Sequence, residues 1–186
     1  SYKIGIATSD DGITWERIKE NPIDFGRVHS FHPWVIKDKA GYRLWYSIKE
    51  SPKTGFRIGS AYSKDGIKWE IKKEALKSNL GWDIKEVFRP VVLHDNDKYK
   101  MWYAGFYGRK TRIGLALSND GNKWTRYGKN PVFDAAEGSG WDGDSVFRGR
   151  VIKDEDTYKI WYSGFNGNKT RIGIASSQNR INWQKS

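Results

Sequence analysis

The stretch RIGLALSNDGNKW, residues 112–124, decides the reading of this chain because it recurs along the sequence. It stands as YKIGIATSDDGITW at 2–15, as RIGSAYSKDGIKW at 57–69, and in altered form as RIGIASSQNRINW at 171–183. The tryptophans that close the four copies, Trp15, Trp69, Trp124 and Trp183, are 54, 55 and 59 residues apart. A second phrase keeps the same period: GYRLWYS (41–47), KYKMWYAGF (98–106) and TYKIWYSGF (157–165). Self-similarity on this scale marks an array of one supersecondary unit, each copy burying its apolar faces against its neighbours.

Within a unit the pattern resolves into four short alternating runs, seen most clearly as RPVVLHD (89–95), KYKMWYAGF, RIGLALS (112–118) and KWTRY (123–127). Period-two alternation, β-branched and aromatic residues, and the turn phrases HDNDK, GRKT and NDGN specify antiparallel strands. The strongest helical window, KKEALKSNL at 72–80, amounts to a short turn at most. Four-stranded units in series predict an all-β fold, a β-propeller of four-stranded antiparallel blades around a channel. One domain spans 1–186: a partial blade at 2–16, then complete blades at about 32–71, 88–127 and 147–184, about three and a half in all. The partial blade lacks its innermost strand. The chain is therefore expected to belong to a longer parent, or to complete its ring by assembly with another copy.

The bulk numbers agree with a packed domain. Aromatics form 15% of the chain, enough for a substantial core, and no run of about 18 apolar residues predicts a membrane span. The sequence opens at SYKIG, on a repeat strand, with neither an initiator Met nor a signal segment, so compartment is not legible. Cysteine is absent, which removes disulfides and thiolate metal sites. The net charge of +11 raises nucleic acid as a partner. The cations are spread through every repeat without a basic block, however, so a solvated surface is the expectation and nucleic-acid binding is not.

Most of the repeat has a structural purpose. In Ser-x-Asp-Gly-x-x-Trp, Asp-Gly supplies the positive φ of a tight turn, Ser and Asp bond its backbone, and Trp packs between blades. The last copy puts Asn179 and Arg180 in place of Asp-Gly, so a looser turn is expected there. The motif is similar to the Asp-box of sialidases but one residue shorter, and the triad of substrate-carboxylate arginines that a sialidase needs is not recognisable in the sequence. In the pairs Trp45-Tyr46, Trp102-Tyr103 and Trp161-Tyr162, adjacent side chains should face opposite neighbouring blades.

Candidate chemistry lies where the inter-blade loops enter the innermost strands. VHSFHPWVI (28–36), KEVFRPVVL (85–93) and DSVFRGRVI (144–152) align without gaps. Phe31, Phe88 and Phe147 coincide, as do His32, Arg89 and Arg148, whereas His29, Glu86 and Ser145 diverge in one column and Val28, Lys85 and Asp144 in the next. Repeating anchors beside diverging neighbours fit a site grafted on a symmetric scaffold.

The phrases RPVVLHDNDKYKMWYAGF and RIGLALSNDGNKW resemble the five-bladed propellers of the glycoside hydrolase superfamily that contains families 32, 43, 62 and 68. The resemblance covers essentially the whole chain. It implies a five-bladed propeller type and carboxylates converging on the channel from the starts of innermost strands. Glycoside cleavage needs two carboxyls of opposed protonation state around the bond. Counting the partial blade as the first, Glu86 falls where the resemblance places the general acid, and Arg89 stands near it. The tuning Asp is replaced by His29 and His32, and the expected base is missing with the innermost strand of blade one, so it is expected in the sequence of a longer parent or in another loop. Asp144, Asp142 and Asp24 are the remaining carboxylate partners, with no catalysis as the other outcome.

Two further features complete the reading. The loop 133–147, with Asp134, Glu137, Asp142 and Asp144, offers oxygen ligands for calcium but lacks the spacing of a dedicated calcium loop, so no metal or cofactor is expected. Trp82 and Trp141, in matching GWD phrases outside the strands, are either sugar-stacking platforms or locks for the inter-blade loops. With His29, His32, Arg89 and Arg148 they form the expected substrate-binding set around catalytic Glu86 and Asp144. The function that follows is a carbohydrate-active propeller that hydrolyses or binds an oligo- or polysaccharide at the channel mouth. A non-catalytic propeller binding glycan or protein through the same face is the rival.

Overall fold

The computed structural model describes residues 2–79, 81–136 and 140–186. No helix occurs among them. A two-stranded sheet, β1 (Ala7–Thr8) with β2 (Glu16–Arg17), comes first. Three four-stranded antiparallel sheets follow, each in chain order: β3 (His29–Asp38) to β6 (Glu70–Leu76), β7 (Glu86–Asp95) to β10 (Thr125–Arg126), and β11 (Ser145–Asp154) to β14 (Gln184–Lys185). Between them lie β4 (Gly41–Lys49), β5 (Arg57–Ser63), β8 (Lys98–Tyr107), β9 (Lys110–Ser118), β12 (Thr157–Phe165) and β13 (Thr170–Ser177). These are blades one, in part, to four of a propeller. The sheets open two or three residues before the expected starts at His32, Phe88 and Phe147, because the innermost strands already pair at His29, Glu86 and Ser145. The helical window at 72–80 gives way to strand: β6 continues to Leu76, and Ala75 and Leu76 are buried against blade three.

Three apolar layers hold the blades together, and the tryptophan-tyrosine pairs build them. Tyr46 packs in the layer between blades one and two and Trp45 in the next. Tyr103 lies between blades two and three, and Trp102 between three and four. Strand alternation sends neighbouring side chains to opposite faces, which is why adjacent residues serve different layers. Trp45, Tyr46, Trp102 and Tyr103 are essentially inaccessible, as is Ile58. Burying an aliphatic side chain such as Ile58 contributes about 1.5–3 kcal/mol. The outer flanks differ. Trp161 is 39% exposed on the free face of blade four, and Trp15 is 61% exposed on the partial sheet, where the chain places no blade against it.

The turn motif behaves as its chemistry requires. Ser63 Oγ donates to Asp65 Oδ1 (2.9 Å) and accepts the Gly66 N–H, while Asp65 Oδ1 takes the N–H groups of Ile67 and Lys68. These backbone donors, foremost those of Lys68 and Ile67, hold the Asp65 carboxyl down at about 2. The last turn is looser, as expected, but keeps part of its frame. Asn179 Oδ1 still accepts from Ile181 and Asn182, at 3.1 and 2.8 Å, because an amide oxygen can stand in for a carboxylate oxygen. In the other turns the Gly N–H donates to the Ser hydroxyl at 2.8 Å, whereas Ser177 Oγ takes the Asn179 N–H at 3.3 Å; and Trp124 donates to Gly121 O, but Trp183 Nε1 is buried without a partner.

On the side away from the channel mouth, hairpin carboxylates clip each blade to the next. Asp38 accepts the Tyr99 hydroxyl and Asp95 the Tyr158 hydroxyl, at 3.1 and 2.7 Å. Burial works against the Asp95 charge, but hydrogen bonds from Lys100, Lys153 and Tyr158 outweigh it and hold the carboxyl well below its usual range.

Candidate functional site

Each innermost strand breaks its ladder at one point. Register shifts fall between Phe31 and Trp34, Phe88 and Val91, and Phe147 and Arg150. The extra residue is a β-bulge, which kinks the strand and re-aims a side chain. His32, Arg89 and Arg148 occupy the left-handed conformation there, with φ of 50°, 54° and 55°. Non-glycine residues in this region cost about 1–3 kcal/mol each and cluster at functional sites. The column noticed in the sequence is therefore a column of strained, polar residues presented at the channel.

Two of them are joined across the blade junction. Arg89 Nε donates to His32 Nε2 at 3.3 Å. That fixes the remaining imidazole proton on Nδ1, which donates to Ser47 Oγ at 3.1 Å. The same buried hydroxyl accepts the Arg89 backbone N–H at 2.9 Å. Burial, with the charges of Arg89, Arg150 and Arg148 behind it, pushes the His32 value down to about 4. Burial and the charges of Arg148 and Arg150 likewise lower Arg89 to about 10. Below this group, Trp34 reaches to the adjacent blade three to donate to Val92 O at 2.7 Å, and the Arg150 guanidinium lies over the Trp34 ring. Among the described residues no carboxylate pairs with Arg89, Arg148 or Arg150. Cations that look dispersed along the chain thus converge in space. Arg150 was missed in the sequence, although it stands one strand period after Arg148, across the bulge.

The diverging column makes contacts with the preceding blade. His29 Nδ1 accepts the Tyr2 N–H, and Ser145 Oγ accepts the Thr111 N–H. Glu86 lies 4.0 Å from Lys49 Nζ, with both side chains about a quarter exposed. Asp144 is exposed beside the hairpin that joins β12 to β13, and its N–H donates to Phe165 O. Asp142 is drawn away from any such role. It is buried, bonded to Tyr162 OH at 2.8 Å and to Lys185 Nζ at 2.7 Å; burial opposes its charge, yet these bonds leave the carboxyl below its ordinary value. Asp24 turns back to cap the Gly26 N–H.

The carboxylates of the acidic loop disperse too. The Asp134 carboxylate pairs with Arg112, that of Asp142 with Lys185, which also donates to Asp134 O, and Glu137 lies outside the described residues. No group of three potential ligands occurs among the described residues. Trp82 and Trp141 are set as locks. Trp82 lies against Gly105, Gly114 and Tyr103, and Trp141 against Gly164, Gly173 and Tyr162. A Cβ on Gly114 would sit 2.6 Å from the Trp82 ring. Asp83, one residue on, accepts from Tyr103 OH and Arg126 Nε, the counterpart of the Asp142 arrangement.

Residues 18–148, more than half of the chain, match the family model for β-1,4-mannooligosaccharide phosphorylase, glycoside hydrolase family 130. The chain belongs to this family. Uncharacterized protein Rv1502 of Mycobacterium tuberculosis is 31% identical over 95% of the chain and 61% of its own length. The 1,2-β-oligomannan phosphorylase of Thermoanaerobacter sp. is 27% identical, over 59% of the chain and 40% of its own length. The chain spans about three fifths of the length of the mycobacterial relative. In fold, this family 130 chain is similar to Zg3597, a family 117 glycoside hydrolase of Zobellia galactanivorans, with a TM-score of 0.77 and 17% identity over 87% of the chain and 56% of that structure. That similarity, with the three complete sheets, shows the fold as part of a β-propeller.

Proposed function

We propose that this chain carries the anion-binding part of an oligosaccharide phosphorylase site, acting on β-linked mannooligosaccharides. The observation that carries the reading is the group His32, Arg89, Arg148 and Arg150, three guanidiniums and a neutral imidazole, with no carboxylate paired to the arginines among the described residues. Guanidinium forks match phosphate oxygens, and charge-assisted bonds of this kind contribute about 1.5–3 kcal/mol each. A neutral imidazole beside them bonds the anion without adding to the repulsion among the cations.

Phosphate also changes what the site has to supply. A hydrolase needs a second carboxylate to activate water or to attack. Phosphate brings its own nucleophilic oxygen. That oxygen bonds to the anomeric carbon as the glycosidic C–O bond breaks, and the leaving oxygen takes a proton from Glu86. The products are a sugar 1-phosphate and a shortened oligosaccharide, and Glu86 regains its proton from the phosphate monoester or from water. Direct displacement of this kind inverts the anomeric centre.

The test is phosphate dependence. The intact protein is incubated with β-1,4- and β-1,2-linked mannooligosaccharides with and without inorganic phosphate, and phosphorus NMR follows the products. A sugar 1-phosphate of inverted configuration supports the reading. Reducing sugar released at the same rate without phosphate, or no cleavage at all, overturns it.

A further inference from the structure

The aromatic residues at the channel mouth break the symmetry of the repeat. In the residue before each RIG phrase, blades three and four carry Thr111 and Thr170, whereas blade two carries Phe56. The hairpin leading to it, between β4 and β5, is also the longest of the three, residues 50–56 against 108–109 and 166–169. It is pinned in place. Thr54 and Ser51 bond each other within the loop, Phe56 O accepts the Val87 N–H at 3.0 Å, and a Cβ on Gly55 would overlap the Lys85 carbonyl of blade three.

Held there, Phe56 meets the two repeating phenylalanines of blades two and three. Its ring centroid is 5.4 Å from Phe31, nearly edge-on, and 5.6 Å from Phe88. All three rings are half-buried. The cluster adjoins the anion pocket, since His32 lies 6.3 Å from Phe56 and 6.5 Å from Phe88, and the Arg89 guanidinium lies over Phe88. Lys49 stands over the Phe56 ring and next to Glu86, so polar groups border the apolar patch. Blade four carries Thr170 in place of Phe56, so among the described residues Phe147 lacks that ring partner, although like Phe88 it has the guanidinium of its own neighbour over it.

We infer that Phe56, with Phe31 and Phe88, forms a platform on which one pyranose ring of the oligosaccharide stacks beside the anion pocket. The inference rests on the phosphorylase reading for the identity of the ligand. A pyranose presents an apolar C–H face and a polar rim. The phenylalanines suit the face, while Lys49 and Glu86 lie where ring hydroxyls would project. Sugar-sized sites are mostly apolar and aromatic with a few placed polar groups, and this patch has that composition.

The test uses Phe56→Thr, which installs the residue that the other two blades tolerate, together with Phe56→Leu, which keeps apolar bulk but removes the aromatic ring. Mannooligosaccharide and phosphate affinities are measured separately by calorimetry on the intact protein, alongside steady-state kinetics. Phe56→Thr should weaken oligosaccharide binding about tenfold and raise its KM to match, with phosphate affinity and kcat little changed. Phe56→Leu should fall between. If the wild-type protein turns over mannooligosaccharide and both variants bind it within about twofold of wild type, the platform alone is overturned. If the wild-type protein binds no mannooligosaccharide, the platform and the phosphorylase reading fall together.

Discussion

Arg89 and His32 meet side chain to side chain across the junction of blades two and three, Nε to Nε2, while both bond the hydroxyl of Ser47. The contact requires an unprotonated His32, in keeping with its lowered value of about 4. Because the folded value lies below 6.5, the unfolded chain takes up the proton first. The stability carried by the neutral imidazole is therefore complete above about pH 6.5 and is lost as pH falls from there towards 4. Urea unfolding across this window should show the loss, and His32→Asn should flatten that part of the profile. Proton NMR adds an independent reading: inorganic phosphate, by offsetting the arginine charges, should raise the His32 midpoint. A midpoint near the ordinary histidine value, unmoved by phosphate, would refute the neutral-imidazole pocket.

Glu86→Gln separates catalysis from binding. The amide cannot give up a proton to the leaving oxygen, yet it keeps the size and hydrogen-bonding capacity of the carboxyl. Turnover should fall about 10²- to 10⁴-fold, the usual contribution of a general acid, with oligosaccharide and phosphate affinities nearly intact. Unchanged turnover would remove Glu86 from the chemistry and return attention to Asp144, the other exposed carboxylate next to an innermost strand. A wild-type protein that binds glycan without turnover would favour the non-catalytic propeller.

The strands, the bladed layout and the opposite facing of Trp45 and Tyr46 were legible because they depend on local alternation and turn chemistry. The column His32, Arg89, Arg148 was legible as an alignment, but its meaning was not. Whether three side chains forty or more residues apart meet or disperse depends on blade curvature and on the bulge, neither of which has a local signature. Arg150 was hidden for the same reason, since the bulge alters the face on which the residues after it fall. Asp142 failed in the opposite direction. It looks like a free loop acid in the sequence, and only the fold brings Tyr162 and Lys185 onto it. Phe56 was visible as a departure from Thr111 and Thr170, a signal that comparing the repeats residue by residue could have found.

The glycines beneath the Trp82 and Trp141 rings make the inter-blade locks testable. At Gly114 a methyl group would sit 2.6 Å from the Trp82 indole and 2.8 Å from the Tyr103 ring, both of which are held by surrounding packing. Gly114→Ala should destabilise the protein by about 1–3 kcal/mol through overpacking. Gly173→Ala, with 2.5 Å to the Trp141 ring, should behave alike. Thermal denaturation of the two variants decides the matter. Wild-type stability in both would mean that the indoles are free to move, which would reopen a ligand-stacking role for Trp82 and Trp141.

Arg180 stands where the three other turns place Gly12, Gly66 and Gly121, and it adopts the same left-handed conformation, φ 64° against 74°, 79° and 72°. For an L-residue with a Cβ that conformation costs about 1–2 kcal/mol, which glycine avoids. Glycine returns part of the gain through the greater freedom of the unfolded chain, about 0.5–1 kcal/mol. Arg180 also has nothing to offset its strain, since its Nε is buried without a partner. Arg180→Gly should therefore stabilise the protein by about 0.5–1 kcal/mol, seen as a rise of about 1–4 °C in Tm. The reverse experiment isolates the backbone effect. A Cβ on Gly12 would touch nothing within 4 Å, so Gly12→Ala should lose stability through φ alone. If Arg180→Gly lowers Tm while Gly12→Ala leaves it unchanged, the left-handed turn is not a source of strain, and the difference between the fourth repeat and the others lies in the missing Trp183 hydrogen bond instead.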